Sequence, residues 1–465
     1  MIHLKMTEQQ HSSLKNHLFP GDSLEAVSLA SCGRFCHEDR EFFFVHEIFH
    51  IDHSLCKRKE DFVSWPTGVA DEFLEKSTEK GLAIVKLHSH PGYYRKFSHI
   101  DDESDTAFFD DVYGWANDEK RHASVVMLPN GELFGRVIQP DLSFEPISRF
   151  NIVGNNLMIY GEGFRNADED VSIRDIQAFG EGTVSVLSNL QVAVIGCSGT
   201  GSAVIEQLYR LKVKRLVLVD HDKVESKNLN RIYGSTKSDA ENGEKKVLAL
   251  KRHLDNIGLD VEVVVFDRNL YDSPDALKEV ICSDLVLGCV DKVDAKQLIN
   301  HISTFYLIPY IDVGVKLVSD GEGGIDEITG AINYVYPSGS SLLSRNAYSM
   351  KMLEADAEQR VNPEYYKERR KEGYMVDVDN PSPAVISVNS VMASYGVNEF
   401  LARIHPFRYS DNSRYDTTVI SLTEWDMFHT HEKSEDKYLN KFIGSGNTKP
   451  LLGISELNKF NAEFD

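Results

Sequence analysis

No CxxC pair occurs in the chain, and none of its six cysteines (Cys32, Cys36, Cys56, Cys197, Cys282 and Cys289) lies beyond position 289. In 465 residues that pattern speaks against a disulfide framework. Positive charge is also scarce: 50 Lys and Arg face 72 Asp and Glu, a formal net charge of −22. A general nucleic-acid binder needs a basic face for phosphates, so that class is disfavoured. No run approaches the roughly 18 apolar residues of a membrane span. The opening MIHLKMTEQQHSSLKNHL lacks the apolar stretch of a secretory leader. The expectation is a soluble cytoplasmic protein with no membrane and no nucleic-acid partner. What is plentiful is apolar surface: 42% of residues are hydrophobic, enough for sizeable cores. At roughly 100–200 residues per domain, two or three domains are expected.

Residues 1–140 mix strands and helices. MTEQQHSSLKNHLF reads as a helix, and EFFFVHEIFHI, LAIVKLHSH and HASVVMLP read as strands. DDESDTAFFDDVYGWAND has helical spacing and an acidic start that suits the positive end of a helix dipole. Pro140, Pro146 and scattered Gly and Asn make 141–170 a linker. From 190 onward apolar strands alternate with helices: NLQVAVIG, SAVIEQLYRLK, RLVLVD, KKVLALKRHLDNIG, VEVVVFD and DLVLGCVD. That alternation predicts an α/β, Rossmann-like domain over 171–410 with a mostly parallel sheet. Residues 338–380 are polar and charged and form an excursion from it. PAVISVNSVMASYGVNEFLARI returns as an apolar helix, and 411–465 form a C-terminal extension.

Two constellations carry chemistry. The first is HSHPGYYRKFSHID at 88–101. LAIVKLHSH alternates as a strand, so His88 and His90 point to one face. Two imidazoles there hold two corners of a zinc tetrahedron, and Asp101, brought back by the turn after Pro91-Gly92, supplies a third. A water at the fourth position would be acidified toward a pKa of about 7. Ser98 would donate a hydrogen bond to the oxyanion of a tetrahedral intermediate. The ungapped pattern HxH, seven residues, SxxD resembles the JAMM (MPN) metalloprotease family. The resemblance covers roughly residues 10–138. It implies a JAMM-type α/β/α metallopeptidase domain over 1–140 that cleaves peptide or isopeptide bonds after the C-terminus of ubiquitin-like proteins. It also implies an upstream glutamate as general base. SLEAVSLASCGR places Glu25 there, and Glu47 in VHEIFHI is the other candidate.

The second is VAVIGCSGTGS, which follows a strand and opens a helix. Gly196, Gly199 and Gly201 would let a phosphate approach the backbone at the helix N-terminus, with Ser198 in the middle of the turn. Asp220 ends the next strand, 24 residues after Gly196, where a carboxylate can bind ribose hydroxyls. To that point an NAD-binding oxidoreductase fits equally. The run DHDKVESKNLNR, then NGEKK, then GCVD, suits attack on the α-phosphate of ATP, which needs cations on the triphosphate and carboxylates on magnesium and ribose. These motifs resemble the ThiF- and MoeB-like adenylyltransferases, the family of ubiquitin-activating enzymes, over roughly residues 165–405. GxGGxGS appears as GCSGTGS, with Ser198 replacing a glycine. DxDxVxxxNLxR appears as Asp220, Asp222, Asn228 and Arg231, and GxxK as Gly243 to Lys246. The magnesium aspartate falls on Asp291, and Lys296 stands where an arginine is usual. RDIQAFGEG resembles the segment whose arginine reaches the partner subunit's ATP, which carries to Arg174 and implies a homodimer.

The resemblance implies ATP-dependent adenylation of the C-terminal glycine of a ubiquitin-like protein, beside zinc-dependent cleavage at such a C-terminus. Zinc-binding members carry two CxxC pairs. Here YPSGSSLLSR puts Ser341 and Ser344 where the first would be, and the second is missing. Nor does 338–380 hold a cysteine for a thioester. Either the reaction stops at the adenylate, or Ser341 or Ser344 accepts the acyl group as an oxyester. An E2-type carrier stays open as a partner. A sulfur-carrier adenylyltransferase with a carrier-trimming peptidase is the alternative function.

Overall fold

The computed structural model describes residues 1–116, 119–161, 169–364, 366, 383–432 and 434–464. Residues 365 and 367–380 of the expected excursion, 162–168 of the expected linker and 117–118 at the end of the acidic helix lie outside them. The chain divides into two compact units. One comprises Met1–Gly163, Thr304–Leu307 and Lys441–Asp465, the other Phe164–Ser303 and Ile308–Asn440.

The first unit is built on a nine-stranded mixed sheet. Its strands are β1 (Ile2–Thr7), β2 (Val27–His37), β3 (Arg40–His50), β6 (Ala83–Ser89), β7 (His122–Met127), β8 (Leu133–Ile138), β9 (Phe144–Pro146), β10 (Arg149–Val153) and β11 (Leu157–Gly161). They lie in the order β11-β10-β1-β3-β2-β6-β7-β8-β9, while β4 (Lys57–Lys59) and β5 (Phe62–Ser64) form a separate hairpin. Alternation along the strands sorts apolar side chains to two faces. Leu4, Ala30, Phe43, Val85 and Val125 pack with Leu14 and Leu18 of the helix Glu8–Leu18. Leu29 and Ile84 turn the other way, toward Phe73 of the helix Asp71–Glu79 and Phe109 of the helix His99–Ala116. The result is an α/β/α sandwich. The helix Glu8–Leu18 starts on a capping box in which Thr7 and Gln10 bond each other's backbone N–H.

Two boundaries differ from expectation. The stretch 141–161 is sheet, not linker: β10 pairs in parallel with β1, and β11 antiparallel with β10. Pro146 misled because it sits on the edge strand β9, where a missing N–H costs no ladder bond. The segment 411–465 is no single extension. Residues 441–464 belong to the first unit, where Gly33 N–H donates to Gly444 O at 3.0 Å and His46 Nδ1 lies 2.6 Å from Ile443 O. A side chain on Gly33 would meet the Ser445 carbonyl carbon at 2.3 Å, so only glycine admits this backbone-to-backbone approach.

The second unit holds an eight-stranded sheet. Its strands are β12 (Gln191–Ile195), β13 (Arg215–Val219), β14 (Glu262–Phe266), β15 (Leu285–Gly288), β16 (Tyr310–Ser319), β17 (Ile325–Val335), β18 (Thr417–Ser421) and β19 (Asp426–Thr430). Their order is β14-β13-β12-β15-β16-β17-β18-β19. The first five are parallel and the last three antiparallel, as a Rossmann-like sheet with a meander added. Strand order reverses between β12 and β15, and ligands bind at such switch points in open α/β sheets. The helix Ile386–Ile404 packs Met392 against Gly330 and Gly396 against Val313.

Candidate active sites

In the first unit, β6 presents His88, and His90 lies just beyond its end. The β2–β6 register pairs Val27 with His88, so Glu25, two residues earlier, falls opposite His90. The helix His99–Ala116 then returns Asp101 in its first turn. Ligand atoms of His88, His90 and Asp101, all buried, lie within 4.8 Å of one another. His88 Nε2 is 3.1 Å from Asp101 Oδ1, His90 Nε2 is 3.6 Å from Asp101 Oδ2, and the two Nε2 atoms are 3.2 Å apart. Glu25 Oε1 stands 3.9 Å from His90 Nε2. Glu47 is exposed on β3.

Electrostatics suit a cation. Burial keeps His88 below the ordinary imidazole value, and so neutral. His90 Nδ1 sits 2.7 Å from Tyr94 O, which leaves Nε2 with a lone pair for a ligand. Burial opposes ionisation of Asp101 as well, but His88, His90 and the Ser98 N–H hold it well below the usual carboxylate range. Burial pushes Glu25 up to about 8, helped by Asp101 and opposed by His90. Burial opposes protonation of His90 too, but Asp101 and the Tyr94 carbonyl raise it above the ordinary imidazole value, so a cation would compete with a proton there. Two imidazoles and a carboxylate fit the donor set of zinc. The Ser98 side chain is placed differently from expectation. Its hydroxyl donates to Asp101 Oδ2 at 2.8 Å and accepts from Asp101 N–H at 3.2 Å, so it orients the carboxylate and starts the helix. A cleft of about 1100 Å³ elsewhere in this unit, lined by residues such as Arg34, Glu41, Lys120 and Arg121, contains none of the cluster.

In the second unit, the turn after β12 is shaped by three glycines. Gly196 has φ +91°, and a Cβ there would lie 2.5 Å from Cys289 O at the end of β15. A Cβ on Gly201 would meet Gly196 O at 1.8 Å, and one on Gly199 would meet the Asn389 side-chain amide at 2.1 Å. Ser198 caps the helix Gly199–Arg210 through its backbone alone, with no side-chain cap bond. Asp220 accepts from Cys197 N–H at 2.7 Å and Asp222 N–H at 2.8 Å, locking turn and strand end together. Backbone bonds between 222–224 and 244–246 bring Lys246 Nζ to 2.7 Å from Asp222 Oδ2. Partial burial opposes ionisation of Asp222, yet Lys246 holds it below its usual value. Asn228 is buried and accepts from Glu225 N–H at 3.0 Å, a structural task that sets the turn carrying Arg231. Arg231 itself donates to Lys227 O at 2.8 Å.

The other expected residues differ in their surroundings. Asp291 is exposed beyond β15 and makes no hydrogen bond or ion pair among the described residues. The cation-capable cluster near the turn is Asp220, His221 and Asp222. Lys296 is committed to buried Asp312 at 2.9 Å. Arg174 is exposed and donates to Gln177 Oε1 at 2.9 Å. Ser341 and Ser344, expected as acyl acceptors on an open loop, hold a tight turn. Ser341 is buried and donates to Asp436 Oδ2 at 2.5 Å, while Ser344 Oγ accepts from Ser341 N–H at 2.9 Å. Asp436 also accepts from the N–H groups of Tyr438 and Leu439. Sequence reasoning passed over Asn389, whose signal was faint, and Lys86, Asp105 and Arg136, which cluster behind the first site.

Residues 171–438 match the ThiF family model. Among curated proteins the chain is similar to Ubiquitin-like modifier-activating enzyme 5 of Xenopus laevis, 38% identical over 120 residues, 23% of this chain and 30% of that protein. The Dictyostelium discoideum protein of the same name is 30% identical over 168 residues, 33% of this chain and 41% of that protein. The chain thus spans well under half the length of these relatives. Among solved structures, E. coli MccB with ATP aligns at 17% identity and a TM-score of 0.42, over 60% of this chain and 76% of that one. The family match runs over more than half of the chain, through the glycine turn, Asp220, Arg231, Lys246 and Asp291 alike, and the chain belongs to the ThiF family.

Proposed function

We propose that the second unit adenylates the C-terminal glycine of a ubiquitin-like protein, and that the first is a zinc peptidase acting at such a C-terminus. The observation that carries the first half is the glycine turn at the β12/β15 switch point, where Asp220 is docked on the turn and Lys246 is held beside it. A carboxylate oxygen of the modifier attacks the α-phosphorus of ATP, and pyrophosphate leaves. Asp220 faces the ribose, while Lys246 and Arg231 offset negative charge on the phosphates. Exposed Asp291 would hold the magnesium that accompanies ATP. Arg174 would act on the ATP of a second copy in a homodimer. ATP–pyrophosphate exchange that depends on a small protein ending in glycine supports this reading. Exchange absent with every such protein, or nicotinamide reduction in its place, removes it. A thiocarboxylate product would mark the sulfur-carrier alternative.

The second half rests on the convergence of His88, His90 and Asp101 with Glu25 beside them. A zinc ion held by those three residues would supply Lewis acidity to a water and a scissile carbonyl. Glu25 takes a proton from the attacking water and returns it to the departing amine. Ser98 keeps Asp101 oriented. One equivalent of zinc per chain, and zinc-dependent cleavage after a ubiquitin-like C-terminus, test it. A chain that binds no zinc ends it.

A further inference from the structure

Lys86 and His88 are two apart on β6 and share one face. Asp101 and Asp105 are four apart on the helix His99–Ala116 and share one face of it. The structure joins the two faces in parallel rungs. His88 Nε2 lies 3.1 Å from Asp101 Oδ1, and Lys86 Nζ lies 2.7 Å from Asp105 Oδ1. Two residues of strand rise about 6.6 Å and four of helix about 6 Å. The rungs are therefore commensurate, and a slide that breaks one breaks the other.

A second strand closes the arrangement. Arg136 of β8 donates to Asp105 Oδ2 through Nη2 at 2.7 Å and Nε at 3.1 Å, and pairs with Asp102 as well. Its guanidinium lies 3.8 Å from the ring centroids of Phe97 and Phe144, and Phe97 belongs to the loop between His90 and Asp101. Lys86 also donates to Ser104 Oγ at 2.8 Å. Asp105 is fully buried, and Lys86 and Arg136 are nearly so. Charges this deep gain little over well-packed apolar groups, because desolvation offsets their attraction. What they add is direction. The hydrophobic attraction of Phe108, Phe109 and Val112 further along the helix is non-directional, whereas a carboxylate gripped from two strands is held at one point.

We infer that Asp105, gripped by Lys86 and Arg136, is a positioning residue that sets the register of the helix His99–Ala116 so that Asp101 meets His88 and His90. The inference deepens the metal-site reading proposed above and rests on it.

The test uses the full chain and the metal alone. Asp105→Asn by itself strands Lys86 as a buried cation, so Lys86→Met/Asp105→Asn carries the measurement. Zinc affinity is read by competition with a chromophoric chelator, and ligand geometry by the visible spectrum of the cobalt(II)-loaded protein. Thermal melting and circular dichroism confirm that the chain is folded. The double variant should bind zinc roughly 10- to 100-fold more weakly, the usual loss for a supporting partner of a ligand. Its cobalt spectrum should move toward that of Asp101→Asn, which a merely stabilising role would not produce. A folded double variant with wild-type zinc affinity and a wild-type cobalt spectrum overturns the inference. A wild-type chain that binds no zinc overturns the metal reading and this inference with it, and the two failures appear in different proteins.

Discussion

The first unit presents its chemistry through side chains and the second through main chain. His88, His90, Asp101 and Glu25 converge as buried functional groups on a strand and a helix start, and their backbones ask for nothing unusual. The Gly196–Gly201 turn works the other way: it needs three positions without side chains, and the carboxylate of Asp220 is occupied with backbone N–H groups. A site of the first kind fails when one group is removed. A site of the second kind also fails when one is added. Added side chains should therefore harm the second unit at positions with no counterpart in the first, which makes the contrast breakable.

The largest effect belongs to His88→Ala. Metal analysis should show zinc falling from one equivalent to none, and cleavage should vanish while ATP–pyrophosphate exchange continues unchanged. Loss of exchange as well would mean that the units do not work independently. Glu25→Gln should keep the zinc and slow cleavage by about 10²- to 10⁴-fold, the contribution of a positioned general base. Normal cleavage by that variant, with loss in Glu47→Gln, would move the base to Glu47. Lys246→Ala should reduce exchange by about 10²- to 10³-fold, as for other single electrostatic contacts to a transition state, and leave zinc content alone.

Smaller effects sharpen the contrast. Gly199→Ala adds one methyl group against Asn389 and should cost about 1–3 kcal/mol in thermal or denaturant unfolding, with a raised KM for ATP. Pairing it with Asn389→Ala should return part of the stability; an additive loss would show that the clash is not the cause. The mildest is Ser341→Ala. Asp436 keeps its two backbone donors, so the loss should be about 1 kcal/mol, with exchange intact. A modifier adduct that resists thiols, yields to hydroxide and disappears in Ser341→Ala would contradict the structural role assigned here.

How far each feature could be read from sequence follows the distance over which it is built. The metal cluster spans 14 residues in its main part, His88 to Asp101, and strand alternation followed by a helix start is enough to bring its ligands together. The strands β9 to β11 read as a linker in sequence because they are three to five residues long, and the pairing of β10 with β1 sets His3 opposite Arg149, far away in the chain. The turn that holds Ser341 and Ser344 was not legible in sequence because Asp436, the hydrogen-bond partner of Ser341, is 95 positions away. Ser98 is a local case of another kind: the same spacing serves an oxyanion donor and a helix cap, and the bonds to Asp101 are the part that the fold supplies.

By itself the sequence determined the alternation of β-strand and helix in both units, the three-glycine turn and the HxH–SxxD cluster. Each depends on side-chain period or φ preference within a few residues, and those are properties of the chain locally. Only the tertiary structure decided that 141–161 completes the first sheet, that 441–464 belongs to the first unit, and that Lys86, Asp105 and Arg136 grip one helix. It also decided that Asn389 lies against the glycine turn. These are choices of partner among many chemically equal candidates. Strand edges and buried charges accept any complementary group, and the one that is chosen follows from packing the whole core at once.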